Sequence, residues 1–223
     1  MRVSLVSVTG HEKYTPEELI VYIARVSNPS NQDNMETAPK LIKYLIDNKH
    51  WSPFEMVDMT VEIVTSRAIA QQILRHRSFS FQEFSQRYSA VTEMEPIQLR
   101  RQAEKNRQSS EEEFNPEVEY YGPHAEGPYE TDASWLVEEA IDMCKIAYDT
   151  LLAAGVAKEC ARMVLPLTTQ TTIYMKGSVR SWIHYLQIRC DEHTQLEHRQ
   201  IAQLIKEEFI KEFPQISKAL WDI

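Results

Sequence analysis

The chain has 223 residues, of which 43% are hydrophobic and 26% charged, a composition typical of a compact globular domain with its own core. A net charge of −9 argues against a protein built mainly to grip long nucleic acid, which requires a broad cationic surface. No apolar run reaches the roughly 18 to 20 residues that cross a bilayer, so we expect no membrane association and a cytoplasmic location, in the host's cytoplasm if a virus encodes the chain.

The first third of the chain predicts helices between two strands. Residues 5–8 have the composition of a short strand. Residues 15–18, Thr-Pro-Glu-Glu, form a capping box with proline at the first helical position, which predicts a helix start. A second helix is expected after Pro39. Apolar and polar side chains alternate over residues 57–63, the pattern of a strand with one solvated face, and a further helix then leads into residues 75–77.

The middle of the chain is different in kind. Residues 93–131 contain four prolines, two glycines and few periodic hydrophobic residues, which predicts an irregular surface insertion, with a lid as the alternative and a short helix near Leu99. Regular structure is expected to resume with a long helix over residues 137–151, which Gly155 closes. The remaining predicted elements are a helix ending at residues 162–166, a strand over 168–175, and helices around 179–186 and 201–209.

These elements together predict the fold class. They form a single α+β domain over residues 1–223, with more helix than sheet and a small, mostly antiparallel sheet. No internal repeat is visible, so a solenoid is not expected.

The densest cationic feature is Arg75-His76-Arg77, followed by Glu83, Ser85 and Arg87. With only five glycines, the chain cannot hold phosphates mainly with a glycine-rich loop, and forked arginine side chains match phosphate oxygens. The cluster therefore indicates an anion site. A solvated basic loop, an Arg–Glu network and a stacking platform for single-stranded nucleic acid remain alternatives, the last because aromatic residues interleave with the arginines.

Other polar side chains lie where they can reach the same ligand. Gln72 precedes Arg75 by about one helical turn, and its amide can read the edge of a base. Arg162 and Arg189 stand in otherwise apolar helices, which suggests that they converge on one ligand.

Metal binding and cysteine chemistry compete for the remaining residues. His193 and His198 are five apart, the wrong spacing for one helical face, and no cysteine or carboxylate spacing completes a zinc set, so we expect no metal. The three cysteines lie far apart in apolar helical surroundings, which predicts small buried side chains in a reducing compartment rather than disulfides or nucleophiles.

With these residues in place, the sequence resembles the flavin-dependent thymidylate synthases. The signature of that family is Arg-His-Arg, seven arbitrary residues and serine, and here Arg75-His76-Arg77 is followed by residues 78–84 and Ser85. Further stretches similar to the family occur in the same order at residues 24–27, 50–55 and 161–167 and at Arg189. The resemblance covers nearly the whole chain except residues 93–131.

The resemblance implies a fold of the thymidylate synthase-complementing protein type and a reaction. The implied activity is that of a methyltransferase that reductively methylates dUMP to dTMP without a cysteine nucleophile. FAD reduced by NADPH supplies hydride, and 5,10-methylenetetrahydrofolate supplies carbon. The implied assembly is a homotetramer whose active sites are shared between subunits, with dUMP, folate and NADPH as its partners and no nucleic acid.

The resemblance also implies roles for individual residues. Arg189 would sit against the pyrimidine as a catalytic residue, and His50 would lie on the flavin and folate side. The residues that would bind FAD are Ser52, Glu55, Arg75, His76, Arg77, Glu83, Ser178, Arg180 and His184. The residues that would bind dUMP are Gln72, Arg75, Glu83, Phe84, Ser85, Gln86, Arg87, Arg162 and Arg189.

Two other classes of function remain open from the sequence. One is a nucleotide-binding or regulatory module that keeps the phosphate site but lacks turnover. The other is a single-strand nucleic-acid binder, which a steep loss of affinity with added salt would reveal.

Overall fold

A computed structural model describes residues 1–90, 93–122 and 127–222. The strands, in chain order, are β1 (Arg2–Val8), β2 (Asp58–Ser66), β3 (Ser80–Glu83), β4 (Arg100–Gln102), β5 (Ser110–Glu113), β6 (Glu117–Tyr120), β7 (Tyr129–Asp132) and β8 (Gln170–Ser178). The helices are α1 (Pro16–Ala24), α2 (Ala38–Asp47), α3 (Arg67–Ile73), α4 (Ala133–Ala153), α5 (Lys158–Ala161), α6 (Val179–Arg189), α7 (Leu196–Glu212) and α8 (Pro214–Trp221). Short 3₁₀ turns lie at Pro29–Asn31, Ser52–Glu55 and Arg162–Val164.

The chain divides into two compact units. The first unit comprises residues 1–64, 69–83 and 172–223, and the second comprises residues 65–68 and 84–171. The first unit is therefore discontinuous in sequence. The prediction of one domain over the whole chain stays a prediction.

The first unit is built on a four-stranded sheet in the order β1-β2-β8-β3. β1 pairs with β2 and β3 pairs with β8, both antiparallel. In β2 the side chains of Met59, Val61 and Ile63 are fully buried, whereas the polar residues between them are partly exposed. This alternation is the one that the sequence predicts, and it places one face of the sheet against the helices.

Helices complete the core of the first unit. α7 packs against β1 and α6, and α8 packs against α2. The buried Trp182 on α6 donates its indole N–H to the carbonyl oxygen of Met59 at 2.9 Å, so the polar atom of a large core side chain is satisfied. This bond fixes α6, which carries several predicted site residues, on the sheet.

The N-terminus of α8 is capped from another helix. Phe213 precedes the helix and has no side-chain acceptor, but the carboxylate of Glu17 on α1 accepts the backbone N–H of Ile216 at 2.7 Å. Glu17 is only 3% exposed. Unpaired N–H groups at a helix start need an acceptor, and here α1 supplies it.

The second unit contains two antiparallel ladders and a long helix. β4 pairs with β5 and β6 pairs with β7. Asp132 caps α4 by accepting the N–H of Trp135 at 2.8 Å, and α4 contacts β6, β7 and α5. Gly155 follows the helix with a φ of +83°, the left-handed conformation in which glycine is unstrained.

Most of the predicted elements are confirmed. The capping box is present, since Thr15 accepts the N–H of Glu18 and Glu18 accepts the N–H of Thr15. The predicted α+β class with a small antiparallel sheet is also confirmed. Among the described residues, no helix is long and apolar enough to span a membrane.

The prediction for residues 93–131 is partly wrong. The described part contains β4 to β7 rather than irregular chain, and the expected helix near Leu99 is absent there because a strand begins at Arg100. The four residues of β5 are all exposed, so this strand lacks the alternation of apolar and polar residues from which a strand can be predicted. Their ladder depends instead on pairs such as Arg101 with Glu112 at 2.6 Å. Residues 123–126 lie outside the described residues.

We expect Glu17→Gln to stabilise the fold at pH 8 by about 1–3 kcal/mol and to change little at pH 5. Burial raises the pKa of Glu17 from 4.5 to about 7. Folding therefore favours the protonated carboxyl, and this stability is full below pH 4.5 and is lost as the pH rises through 7. Urea unfolding of the wild-type protein and the variant at both pH values measures the difference in the free energy of unfolding. Glu12→Gln, at an exposed position, is the control. If Glu17→Gln raised the free energy of unfolding by the same amount at both pH values, the expectation would be wrong.

Candidate functional site

Two of the predicted functional side chains meet directly. Arg189, at the end of α6, donates through Nε to Nε2 of His76 at 2.9 Å. A guanidinium has donors only, so His76 Nε2 must accept and the imidazole carries its proton on Nδ1. This contact joins the Arg-His-Arg motif to an arginine that lies 113 residues later in the chain.

The surroundings of His76 keep its ring neutral. Burial, followed by the charge of Arg189 and the neighbouring His184, lowers the pKa of His76 from 6.5 to about 4. The ring of Tyr185 lies edge-on to His76 with centroids 4.9 Å apart. A neutral imidazole adds no second positive charge beside Arg189, and its Nε2 still accepts the hydrogen bond from the guanidinium.

The turn after the motif is anchored by Phe79. Its ring packs at 4.6 Å from Trp182 and lies against Gly177 on β8. A Cβ at position 177 would come within 2.5 Å of the Phe79 ring, so this close approach requires glycine. The motif is therefore held by core packing as well as by hydrogen bonds.

Gln72, which is predicted to bind the nucleotide, belongs to a series of hydrogen-bonded polar side chains. Gln72 Oε1 lies 3.3 Å from Nδ1 of His198, whose Nε2 lies 3.1 Å from the hydroxyl of Tyr185. Gln72 Nε2 donates to Gln195 at 2.7 Å. From the sequence, His198 was a candidate only for metal binding. Its role beside Gln72 was missed because the apolar spacing of α7 gives no sign of a polar partner.

A second cluster forms around Glu55. Its carboxylate accepts the hydroxyl of Ser178 at 2.5 Å and a guanidinium N–H of Arg180 at 2.8 Å. Beside it is a cavity of about 530 Å³, lined by Lys49, Trp51, Glu55, Ser78, Arg180, Ser181, Ile183, His184 and Gln187. The predicted flavin residues Glu55, Arg180 and His184 therefore lie together around one cavity.

The other predicted residues of the first unit lie near the ends of its elements. His50 is exposed after α2, with its ring edge-on to Tyr44, and Ser52 opens a 3₁₀ turn. Arg75 and Arg77 are exposed in the turn after α3, and Glu83 is half-buried at the end of β3.

The second unit contains the rest of the predicted nucleotide residues. Phe84 and Arg87 are exposed, Ser85 is half-buried, and Arg162 donates to the carbonyl of Glu159 at 3.3 Å. Gln86 is only 4% exposed, and within the described ranges its amide Nε2 has no acceptor. A buried donor without a partner costs about 1–3 kcal/mol, so a ligand carbonyl or phosphate there would relieve the penalty.

The cysteines are not placed for nucleophilic chemistry. Cys160 is exposed, whereas Cys144 and Cys190 are partly buried, so the prediction of three buried side chains is wrong. Burial raises the pKa of the Cys190 thiol, which is the opposite of what a nucleophile needs. Among residues 1–90, 93–122 and 127–222, no three side chains of the His, Cys, Asp and Glu types group as a metal site.

The sequence matches known proteins over most of its length. Residues 6–215 match the family of Thymidylate synthase complementing proteins, Thy1. A flavin-dependent thymidylate synthase of Synechocystis sp. is 53% identical over 96% of this chain and 93% of its own. A probable flavin-dependent thymidylate synthase of Paramecium bursaria Chlorella virus 1 is 49% identical over 99% of both chains.

A solved structure has a similar fold. A UMP/dUMP methylase from Streptomyces cacaoi, bound with 5-Br dUMP, matches with a TM-score of 0.78 and 25% identity. The match covers 100% of this chain and 95% of that one.

We expect the His76 imidazole to stay neutral, with its proton on Nδ1, between pH 5 and 8, because its pKa lies near 4. Long-range ¹⁵N NMR of histidine-labelled protein measures both properties. Arg189→Met should raise this pKa by removing the adjacent charge. His193 is the internal control, since hydrogen bonding to Asp191 raises its pKa above 6.5. A proton on Nε2 of His76 at pH 7 would contradict the proposed contact.

Proposed function

The chain belongs to the Thymidylate synthase complementing protein family, the flavin-dependent thymidylate synthases, and we propose that FAD is its flavin, 5,10-methylenetetrahydrofolate its carbon donor and NADPH its reductant. The chain is a flavin-dependent methyltransferase that converts dUMP to dTMP. The observation that carries the proposal is the bond between Arg189 and His76, because it joins the family's motif to the arginine assigned to the base. A cytoplasmic site of action belongs to the same proposal.

The residues around Glu55 fit a flavin nucleotide. The cavity beside them falls within the roughly 300–1,000 Å³ typical of ligand sites. Arg180 and Lys49 provide positive charge for phosphates, and Trp51 provides an apolar ring surface. We assign FAD binding to this group together with the motif residues Arg75, His76 and Arg77 and the flanking Ser52, Glu83, Ser178 and His184.

When bound and reduced, the flavin supplies hydride, which no amino-acid side chain can supply. The role assigned to Arg189 is to stabilise negative charge that develops on the pyrimidine. A guanidinium is a planar cation with several N–H donors, which suits it to this role. The neutral imidazole of His76 orients that guanidinium without competing for the substrate's charge, since its pKa lies near 4.

The nucleotide would be held by donors of two kinds. We assign its phosphate to arginines and a serine hydroxyl, namely Arg75, Arg87, Arg162 and Ser85. We assign polar groups of the nucleoside to the amides of Gln72 and Gln86, with Phe84 and Glu83 beside them. The buried, unpartnered donor of Gln86 supports this assignment, because ligand binding would satisfy it.

His50 is proposed to lie on the flavin and folate side. The support is its position next to Trp51, which lines the cavity beside Glu55. His50 is exposed and therefore available to a ligand.

We also propose a homotetramer with shared active sites. α4 presents large apolar side chains to solvent, with Met143 63% and Ile146 59% exposed, and Met163 nearby in the same unit is 79% exposed. Apolar surface of this kind on a soluble enzyme is typical of an interface between subunits.

The purified protein should show flavin absorbance that bleaches with NADPH and returns as dTMP forms from dUMP and methylenetetrahydrofolate. Arg189→Met should keep the flavin but lower kcat/KM by about a hundredfold or more, the loss typical for removing one group that stabilises developing charge. Visible absorbance under anaerobic conditions measures the bound flavin and its reduction. Initial rates of dTMP formation, followed by chromatography, measure kcat/KM.

Arg107→Met is the control, because it changes the same charge at an exposed position of the second unit. A colourless protein that takes up no FAD would refute the flavin assignment. Full activity of Arg189→Met would refute the role of that arginine, and flavin reduction without dTMP would favour a binding module that lacks turnover.

In multi-angle light scattering the protein should have four times the chain mass of 26.0 kDa. Ile146→Glu combined with Met143→Glu should reduce that mass, since carboxylates in a desolvated apolar contact are costly. Lys145→Glu adds the same side chain at an already charged position of α4 and should leave the mass unchanged. A monomeric wild-type protein would contradict the tetramer.

A further inference from the structure

A directed chain of hydrogen bonds begins at a carboxylate. Gln195 Nε2 donates to Glu197 at 2.9 Å, and a carboxylate can only accept. The amide of Gln195 is therefore oriented with Oε1 toward Gln72. Gln72 must then present its Nε2 to that oxygen, at 2.7 Å.

The same logic continues to His198. With its amide nitrogen turned to Gln195, Gln72 directs Oε1 at His198 Nδ1, 3.3 Å away. Nδ1 must therefore carry the proton, and His198 Nε2 is left as an acceptor for the hydroxyl of Tyr185 at 3.1 Å. Each member of the chain has one allowed orientation, and all of them lie in the first unit.

Burial holds the chain in this state. His198 and Tyr185 are both fully buried. Burial lowers the pKa of His198 to about 3 and raises the pKa of Tyr185 above its usual range, so both groups stay neutral. A neutral histidine has one donor and one acceptor, and here each of them has a partner.

A core role alone does not explain a histidine at this position. Its neighbours on the same face of α7, Ile201, Ala202 and Ile205, are all fully buried and apolar. A buried imidazole is costly unless both nitrogens are hydrogen-bonded. One of its partners is Gln72, which is only half-buried and is assigned above to the nucleotide.

We propose that His198 is a positioning residue for dUMP binding, which fixes the amide of Gln72 so that its second N–H and second lone pair face the nucleotide in one orientation. Tyr185 acts behind it by fixing the imidazole tautomer. The proposal rests on the assignment of Gln72 to dUMP. It places the control of nucleotide recognition in a residue that does not itself touch the ligand.

The test is calorimetric titration of dUMP into the flavin-loaded enzyme. His198→Met should weaken binding about five- to tenfold, the value of a lost hydrogen bond to an oriented group. In a Gln72→Ala background, His198→Met should weaken binding no further, because His198 acts through Gln72. Flavin absorbance should be unchanged in every variant.

Two polar variants keep the test decisive if methionine disturbs folding. An asparagine amide can occupy the place of Nδ1, and a glutamine amide the place of Nε2. His198→Asn should therefore bind dUMP within about twofold of wild type, whereas His198→Gln should weaken it about fivefold. Unchanged affinity in His198→Met, additive losses with Gln72→Ala, or equal affinities of the asparagine and glutamine variants would overturn the proposal. A wild-type protein that does not bind dUMP would instead refute the proposed function.

Discussion

The interaction on which the site depends is that of a guanidinium with a ring nitrogen that must accept. A guanidinium has donors and no acceptor, so His76 can pair with Arg189 through Nε2 only as a neutral imidazole with the proton on Nδ1. Burial favours that state, and the rings of Tyr185 and Phe79, which lie edge-on to His76, contribute to it. Phe79 in turn lies close against β8 because position 177 is glycine. A single electrostatic contact thus constrains the turn after α3, the strand beside it and the last turn of α6.

Local signals account for much of the fold that the sequence predicts. The capping box of α1, the alternating strand β2 and the helix α4 with its glycine stop all follow from residues close to one another in the chain. α8 and β3 were not predicted, and for α8 the acceptor at its N-terminus is not local. α8 follows Phe213, which cannot cap it, and its acceptor comes from Glu17, 199 residues away. The exposed strand β5 is held by side-chain pairs, which hydrophobic periodicity does not report.

The candidate site shows the same division. The Arg-His-Arg motif, Gln72 and Arg189 could be recognised from residue type and spacing, and the contact between His76 and Arg189 agrees with that reading. The residues that orient them could not. His198 and Tyr185 have helical spacing typical of core positions, and only their positions in space reveal that they partner Gln72. The residues proposed to touch the ligand can thus be predicted from the sequence. The residues that orient them cannot, because their contacts depend on long-range packing.

The discontinuity of the first unit bears on the order in which the protein can be assembled during synthesis. β1 and β2 are made early, but α7, which covers β1, and α8, which Glu17 caps, are the last helices of the chain. The early strands therefore have an uncovered apolar face while residues 84–171, the larger part of the second unit, are made. Contacts of such large sequence separation form slowly and leave partly folded chains prone to aggregation. Newly made chains of this protein should accordingly expose that apolar face until α7 and α8 have been made.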